Sequence, residues 1–174
     1  MGHLSNDAVA VAVDAAAWAI IQVSAGYLAH RLPATRLDHD TWLTRGRRFE
    51  DEGRFYERFG VRRWKDRLPE AGAVFAGGVS KRHVARSEEG LRAFAVETRR
   101  AEIAHWIPLA MSPLFVLWNR PLPAVLMVVY GVGFNMPFIA VQRYNRARVS
   151  RSLAARARNE RRTMGNSMPN GSPP

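Results

Sequence analysis

The sequence predicts a mainly α integral membrane protein: an N-terminal transmembrane helix, interfacial amphipathic helices, and a C-terminal transmembrane or re-entrant helical hairpin. Three observations carry this prediction. Residues 8–29 hold one charge, Asp14. Residues 107–141 also hold one, Arg120. The bases crowd between and after these stretches, and 24 of the 26 are arginine. The expected organisation is 1–30 as the first transmembrane helix and 31–106 as a cytoplasmic or interfacial region with a loop at 62–82. Residues 107–148 form the membrane hairpin with its closing polar phrase, and 149–174 a basic, largely disordered tail.

Residues 8–29 span roughly 33 Å as a helix, enough for a bilayer core. A signal peptide is the rival, but no Lys or Arg precedes the segment. The bases that follow, from Arg31 to Arg48, place the N-terminus outside and residue 30 onward in the cytoplasm. Asp14 then lies near the outer end as an interfacial charge.

Asp40 or Thr41 is a candidate N-cap for a helix running to Phe59. Trp42, Phe49, Phe55, Tyr56 and Phe59 alternate there with five arginines, which suits a headgroup plane as well as ordinary packing. Gly46 and Gly53 weaken that helix and allow two shorter pieces. Leu68-Pro69 ends any incoming helix. Ala71 to Val79 is too short to cross, so it is re-entrant, interfacial or buried. Ser87-Glu88-Glu89 opens the next helix with a cap and first-turn acids.

Ile107–Trp118 is short for a full crossing, and Asn119-Arg120-Pro121 marks a turn. Pro121–Val141 is long enough to span, with Gly131 and Gly133 allowing close helix packing. Asn135 needs a partner at that depth, and Asn135 with Pro137 is expected to break the return helix. Residues 147–162 read as an amphipathic or disordered arm.

The net charge is +11, and residues 142–174 carry eight Arg against Glu160. Such a tail suits an anionic surface. The adjoining apolar segments make that surface a membrane, so no nucleic-acid partner is expected. The chain has no cysteine, which excludes disulfides, Cys-ligated zinc and a thiol nucleophile.

Standard catalytic signatures are missing. Gly77-Gly78-Val79-Ser80-Lys81 is not a nucleophile elbow, and no His is followed by an Asp five residues on. Asp38-His39-Asp40 reads as acids around a helix start, so neither a metal nor a cofactor is expected. His105 is the best general base, with Glu102 three residues before it on the same helix face to orient the ring. The plainer reading is that Glu102, His105 and Trp106 anchor a helix end.

The phrases W-K-D-R-L-P-E-x-G (64–72), G-G-x-S-K-R (77–82), E-T-R-R-A-E-x-x-H-W (97–106), N-x-P (135–137) and Q-R-Y-N-R-x-R (142–148) occur together in this order. In these the chain resembles the glycosyl-4,4'-diaponeurosporenoate acyltransferase family, small bacterial membrane proteins, over about Phe55 to Arg148. The resemblance implies a membrane acyltransferase that esterifies a sugar hydroxyl of a carotenoid glycolipid, the last step of staphyloxanthin synthesis in that family. It supplies no residue roles.

The expected reaction moves a fatty acyl group from acyl-CoA or an acyl carrier to a glycolipid acceptor, among membrane lipids. The expected place is the cytoplasmic face of a bacterial inner membrane. His105, oriented by Glu102, takes the hydroxyl proton. Asn135, Gln142, Asn145 or backbone N–H groups near Gly77 stabilise the oxyanion. Arg100, Arg143, Arg146 and Lys81 hold donor phosphates. Glu97, Tyr144, Trp64 and Lys65 line the remaining walls. The alternative is a non-enzymatic lipid-binding or assembly protein.

Overall fold

The computed structural model describes residues 7–68 and 87–166. The regular elements among them are all helical. Three long helices form a bundle: α1 (Asp7–Arg31), α5 (Glu88–Met111) and α6 (Pro121–Asn166). Between α1 and α5 lie the short helices α2 (Ala34–Leu37), α3 (Arg54–Arg58) and α4 (Val61–Trp64), with a 3₁₀ stretch at Arg48–Gly53 leading into α3.

α5 starts as predicted, with Ser87 Oγ accepting from the Gly90 N–H at 3.0 Å. A 3₁₀ stretch, Ser112–Leu117, extends it to the turn before Pro121. α6 then returns antiparallel. His105 meets Asn135, Glu102 meets Arg143, and Leu91 and Ala95 meet Val149, so the pairing holds one register throughout. Gly131 fixes how closely the hairpin packs. A Cβ there would stand 2.8 Å from Ser112 Cβ and 3.0 Å from the Trp18 ring, whereas one at Gly133 would meet nothing.

α1 lies along this hairpin. Trp18 stacks on Phe115 at 4.9 Å and meets Tyr130 edge-on at 5.1 Å. Asp14 is buried, not interfacial, and accepts hydrogen bonds from Trp118 Nε1 (2.8 Å) and Asn119 Nδ2 (2.7 Å). The hairpin tip therefore reaches the level of Asp14. At the other end, Arg100 caps α1. Its Nη1 donates to the carbonyls of Ala29 and His30 at 2.9 Å and of Leu32 at 2.6 Å.

α1 and α6 are both long and apolar enough to cross a membrane. Their outward faces are bare: Val11 is 68% exposed, Ile20 66% and Leu122 70%. So broad an apolar girdle needs a lipid partner, and the protein is an integral membrane helical protein.

Three further expectations are corrected. Residues 40–59 do not form one helix. Gly53 (φ +96°), Gly60 (φ +66°) and even Glu52 (φ +52°) adopt left-handed backbone, which breaks a right-handed helix into short pieces. Asp40 caps no helix; its carboxylate pairs with Arg99 at 2.8 Å. Second, α6 runs unbroken through Pro137, because packed neighbours in an apolar setting tolerate the lost N–H. Third, the basic tail is helical to Asn166. Val149 and Leu153 pack against Leu91, Phe94 and Ala95, and propagating an existing helix through Ala and Arg costs little. The expectations for residues 69–86, including Gly77 and Lys81, and for 167–174 lie outside the described residues.

Candidate active site

The site sits where α5 and α6 face each other, below the apolar half of the hairpin. Asn135 is fully buried. Its Nδ2 donates to Gly131 O at 2.9 Å, one turn back on α6. That leaves Oδ1 as acceptor, and it lies 3.0 Å from His105 Nδ1. The His105 Nδ1 therefore carries the hydrogen, and Nε2 keeps the lone pair. Phe138 stacks on the imidazole, centroids 4.4 Å apart and 11° from parallel. Hydrogen bond and stack together fix the ring, and Nε2 makes no hydrogen bond among the described residues.

Glu102 makes no hydrogen bond to His105, although the two share a helix face. Its side chain has 0% exposure and lies among cations. Arg143 Nε donates to Oε1 at 2.6 Å and Trp106 Nε1 to the same oxygen at 3.1 Å. Arg146 Nη2 lies 2.7 Å from Oε2, close enough for an ion pair but poorly aligned for a hydrogen bond. Arg143 also donates to Glu50 Oε1, and to Leu43 O at 2.7 Å. Arg146 donates to Thr44 O. Two carboxylates and two guanidinium groups thus tie α5, α6 and the 43–50 segment into one buried network. Tyr56 borders it. Burial, with the Glu50 carboxylate nearby, pushes that phenol well above its ordinary range, so it stays neutral.

The other expected site residues fall into two groups. Glu97 pairs with Arg100 at 3.2 Å, and Arg100 is committed to capping α1. Trp64 donates to Phe59 O at 3.1 Å, and Lys65 pairs with Asp66. Tyr144 is buried against Tyr56, Val61 and Val141, its hydroxyl 3.3 Å from Glu57. These residues hold the fold together. By contrast, Gln142 and Asn145 are half-buried with no hydrogen bond among the described residues. Gln142 lies two helical turns below Asn135 on the same stripe of α6.

Sequence reading identified Asn135 as needing a partner but not that His105 would supply it. It missed Glu50 and Thr44 altogether, because nothing in their local sequence signals a contact almost 100 residues away. Asp14 carried a signal, a charge inside an apolar segment, whose partners only the fold reveals.

The family model described as glycosyl-4,4'-diaponeurosporenoate acyltransferase matches residues 39–155, which include every residue of this site. The chain belongs to this family. Curated members from Staphylococcus aureus strains RF122 and USA300 are each 29% identical over 139 residues, covering 78% of this chain and 83% of theirs. The protein of strain N315 is 29% identical over 138 residues. No solved structure matches. Family membership makes the chain an acyltransferase, and an acyltransferase requires a donor and an acceptor to meet at one polar centre.

Proposed function

We propose that the protein transfers a fatty acyl group from a thioester donor to a sugar hydroxyl of a glycolipid, of the glycosyl-carotenoid kind specified in its relatives' name. The reaction takes place at the cytoplasmic face of the bacterial inner membrane. The observation that carries the proposal is His105, held through Nδ1 by Asn135 and open at Nε2, beside an apolar helix pair able to receive an acyl chain.

His105 Nε2 takes the proton of the sugar hydroxyl, and the oxygen lone pair attacks the thioester carbonyl carbon. The C–O bond forms and charge collects on the carbonyl oxygen, where the Gln142 or Asn145 amide donates; one such donor contributes about 3–4 kcal/mol. The intermediate collapses as the C–S bond breaks. The imidazolium returns its proton to the departing thiolate, giving ester, thiol and neutral histidine. Glu102 acts by building the platform: it holds Arg143 and Arg146, and through them the helix register on which His105 and Asn135 meet. Arg31, Arg36 and the bases up to Arg48, on the His105 side of the bundle, support the cytoplasmic placement.

The test uses purified protein in lipid with radiolabelled acyl-CoA and a glycosylated carotenoid. His105→Gln should lower transfer by about 10²–10⁴-fold at unchanged protein yield. Full activity in that variant would remove the proposed base.

A further inference from the structure

The basic half of α6 carries a trough. Ala147, Ser150 and Ala154 recur at three and four residues, so small side chains line one face of the helix. The Arg47–Gly53 segment forms the facing wall, and a cleft of about 720 Å³ lies between. Six arginines border it (Arg47, Arg48, Arg143, Arg146, Arg151 and Arg158), against three carboxylates. Arg143 and Arg146 are paired with buried acids, and Arg151 lies 3.7 Å from Glu57, which leaves Arg47, Arg48 and Arg158 without an ion pair among the described residues. The cleft is therefore strongly positive. At its floor, Arg146 is 6% exposed and its Nη1 has no hydrogen-bond partner among the described residues.

We propose that this cleft binds the phosphates of a nucleotide thioester of the acyl-CoA class. The inference rests on the thioester-donor reading above and names the donor. Distance supports it. Along α6, Arg146 and Arg151 lie roughly 16 and 24 Å from Asn135, the scale of an extended pantetheine arm. The thioester can then sit at His105 while the phosphates occupy the cleft. A pyrophosphate with a further phosphate monoester also matches several surplus arginines better than a single phosphodiester does. The same cations could hold an anionic lipid headgroup. Depth argues against that source: Arg151 and Arg158 lie about 15 and 25 Å beyond Val141 along the helix, whereas the headgroup layer is only about 5–8 Å thick on each side.

The probe is CoA itself, titrated onto the protein in nanodiscs of neutral phosphatidylcholine. Arg48 and Arg158 are exposed and make no ion pair among the described residues, so Arg48→Ala/Arg158→Ala leaves the fold intact. That variant should bind CoA about tenfold or more weakly, with KM for acyl-CoA raised and kcat nearly unchanged. Wild-type affinity should fall as salt rises. Equal CoA affinity in wild type and variant overturns the proposal. So does failure of the wild type to bind CoA while the variant loses preference for phosphatidylglycerol nanodiscs, which would make the cleft a headgroup site. His105→Gln separates the two readings, because it should bind CoA like wild type and transfer nothing. Acyl transfer with a KM indifferent to the cleft arginines would leave the enzyme reading standing and remove the cleft. Cleft-dependent CoA binding without transfer to any glycolipid would do the reverse.

Discussion

Asn135 occupies a position where a free carboxamide is expensive, and it satisfies both ends: Gly131 O takes its N–H and His105 Nδ1–H reaches its carbonyl. This arrangement selects one tautomer. Asn135→Asp keeps the acceptor but places a negative charge beside the ring, which favours the imidazolium and raises the histidine pKa. The base proposed at His105 must be neutral to act, so activity should be lost at higher pH as the solution is acidified. The acidic limb of the pH–rate profile should move up in the Asp variant, and an unmoved limb would mean that Asn135 does not position the base. Arg143 behaves differently. Arg143→Ala leaves Glu102 and Glu50 buried without their partner, a loss of about 3–5 kcal/mol. It should appear as lower Tm and yield in detergent. At this scale the sequence indicated that Asn135 needs company, and the fold supplies His105 as its partner. It misdirected Glu102, because helix spacing shows which residues share a face, not which of two neighbours an acid prefers. Two arginines from α6 outcompete one neutral imidazole for that carboxylate.

α1 and α5 were legible as elements because each has a long periodic or continuous apolar run, whereas α6 was expected to break at Asn135 and Pro137. Their ends were less so. The tail's helicity depends on Val149 and Leu153 finding Leu91 on α5, a tertiary fact that composition does not contain. The 40–59 segment was partly legible: Gly53 was read as a point where the helix could divide, and left-handed backbone at residues 52 and 53 divides it, but nothing local showed that 40–47 form no helix. Helix packing yields a sharp contrast between two glycines. Gly131→Val forces side-chain atoms into Ser112 and Trp18 and should destabilise by about 1–3 kcal/mol. Gly133→Ala faces open space and should stay within about 0.5 kcal/mol of wild type. Thermal unfolding of both in one detergent checks the pair, and equal losses would contradict the close approach at Gly131.

For the whole molecule, the apolar girdle, the buried Asp14 latch and the arginine-bearing end define one axis through the protein. The N-terminus and the hairpin tip lie at one end, and α1's C-terminus and the long basic half of α6 at the other. With no native cysteine, topology can be read by single additions. Asn119 is buried against Asp14 whereas Arg120 is exposed, so Arg120→Cys is the position to label. A membrane-impermeant maleimide added to intact cells should modify Arg120→Cys and leave Ser152→Cys untouched until the cells are opened. The reverse pattern would invert the orientation. Charge asymmetry made this axis legible from sequence; the depth of the hairpin tip was not, because a 3₁₀ stretch gains more length per residue than an α-helix of the same count.

The unbroken run of α6 makes one rod serve as both ruler and protractor. Asn135 lies in its apolar half and the arginine trough in its basic half, with no joint between them. One residue inserted near Gln142 would turn everything beyond it by about 100° and shift it about 1.5 Å. Arg143 would swing off Glu102, Ala147 off Gly53 and the trough off its facing wall, while the imidazole above stayed in place. The polar half of this helix therefore tolerates exchange of side chains far better than any change in their number.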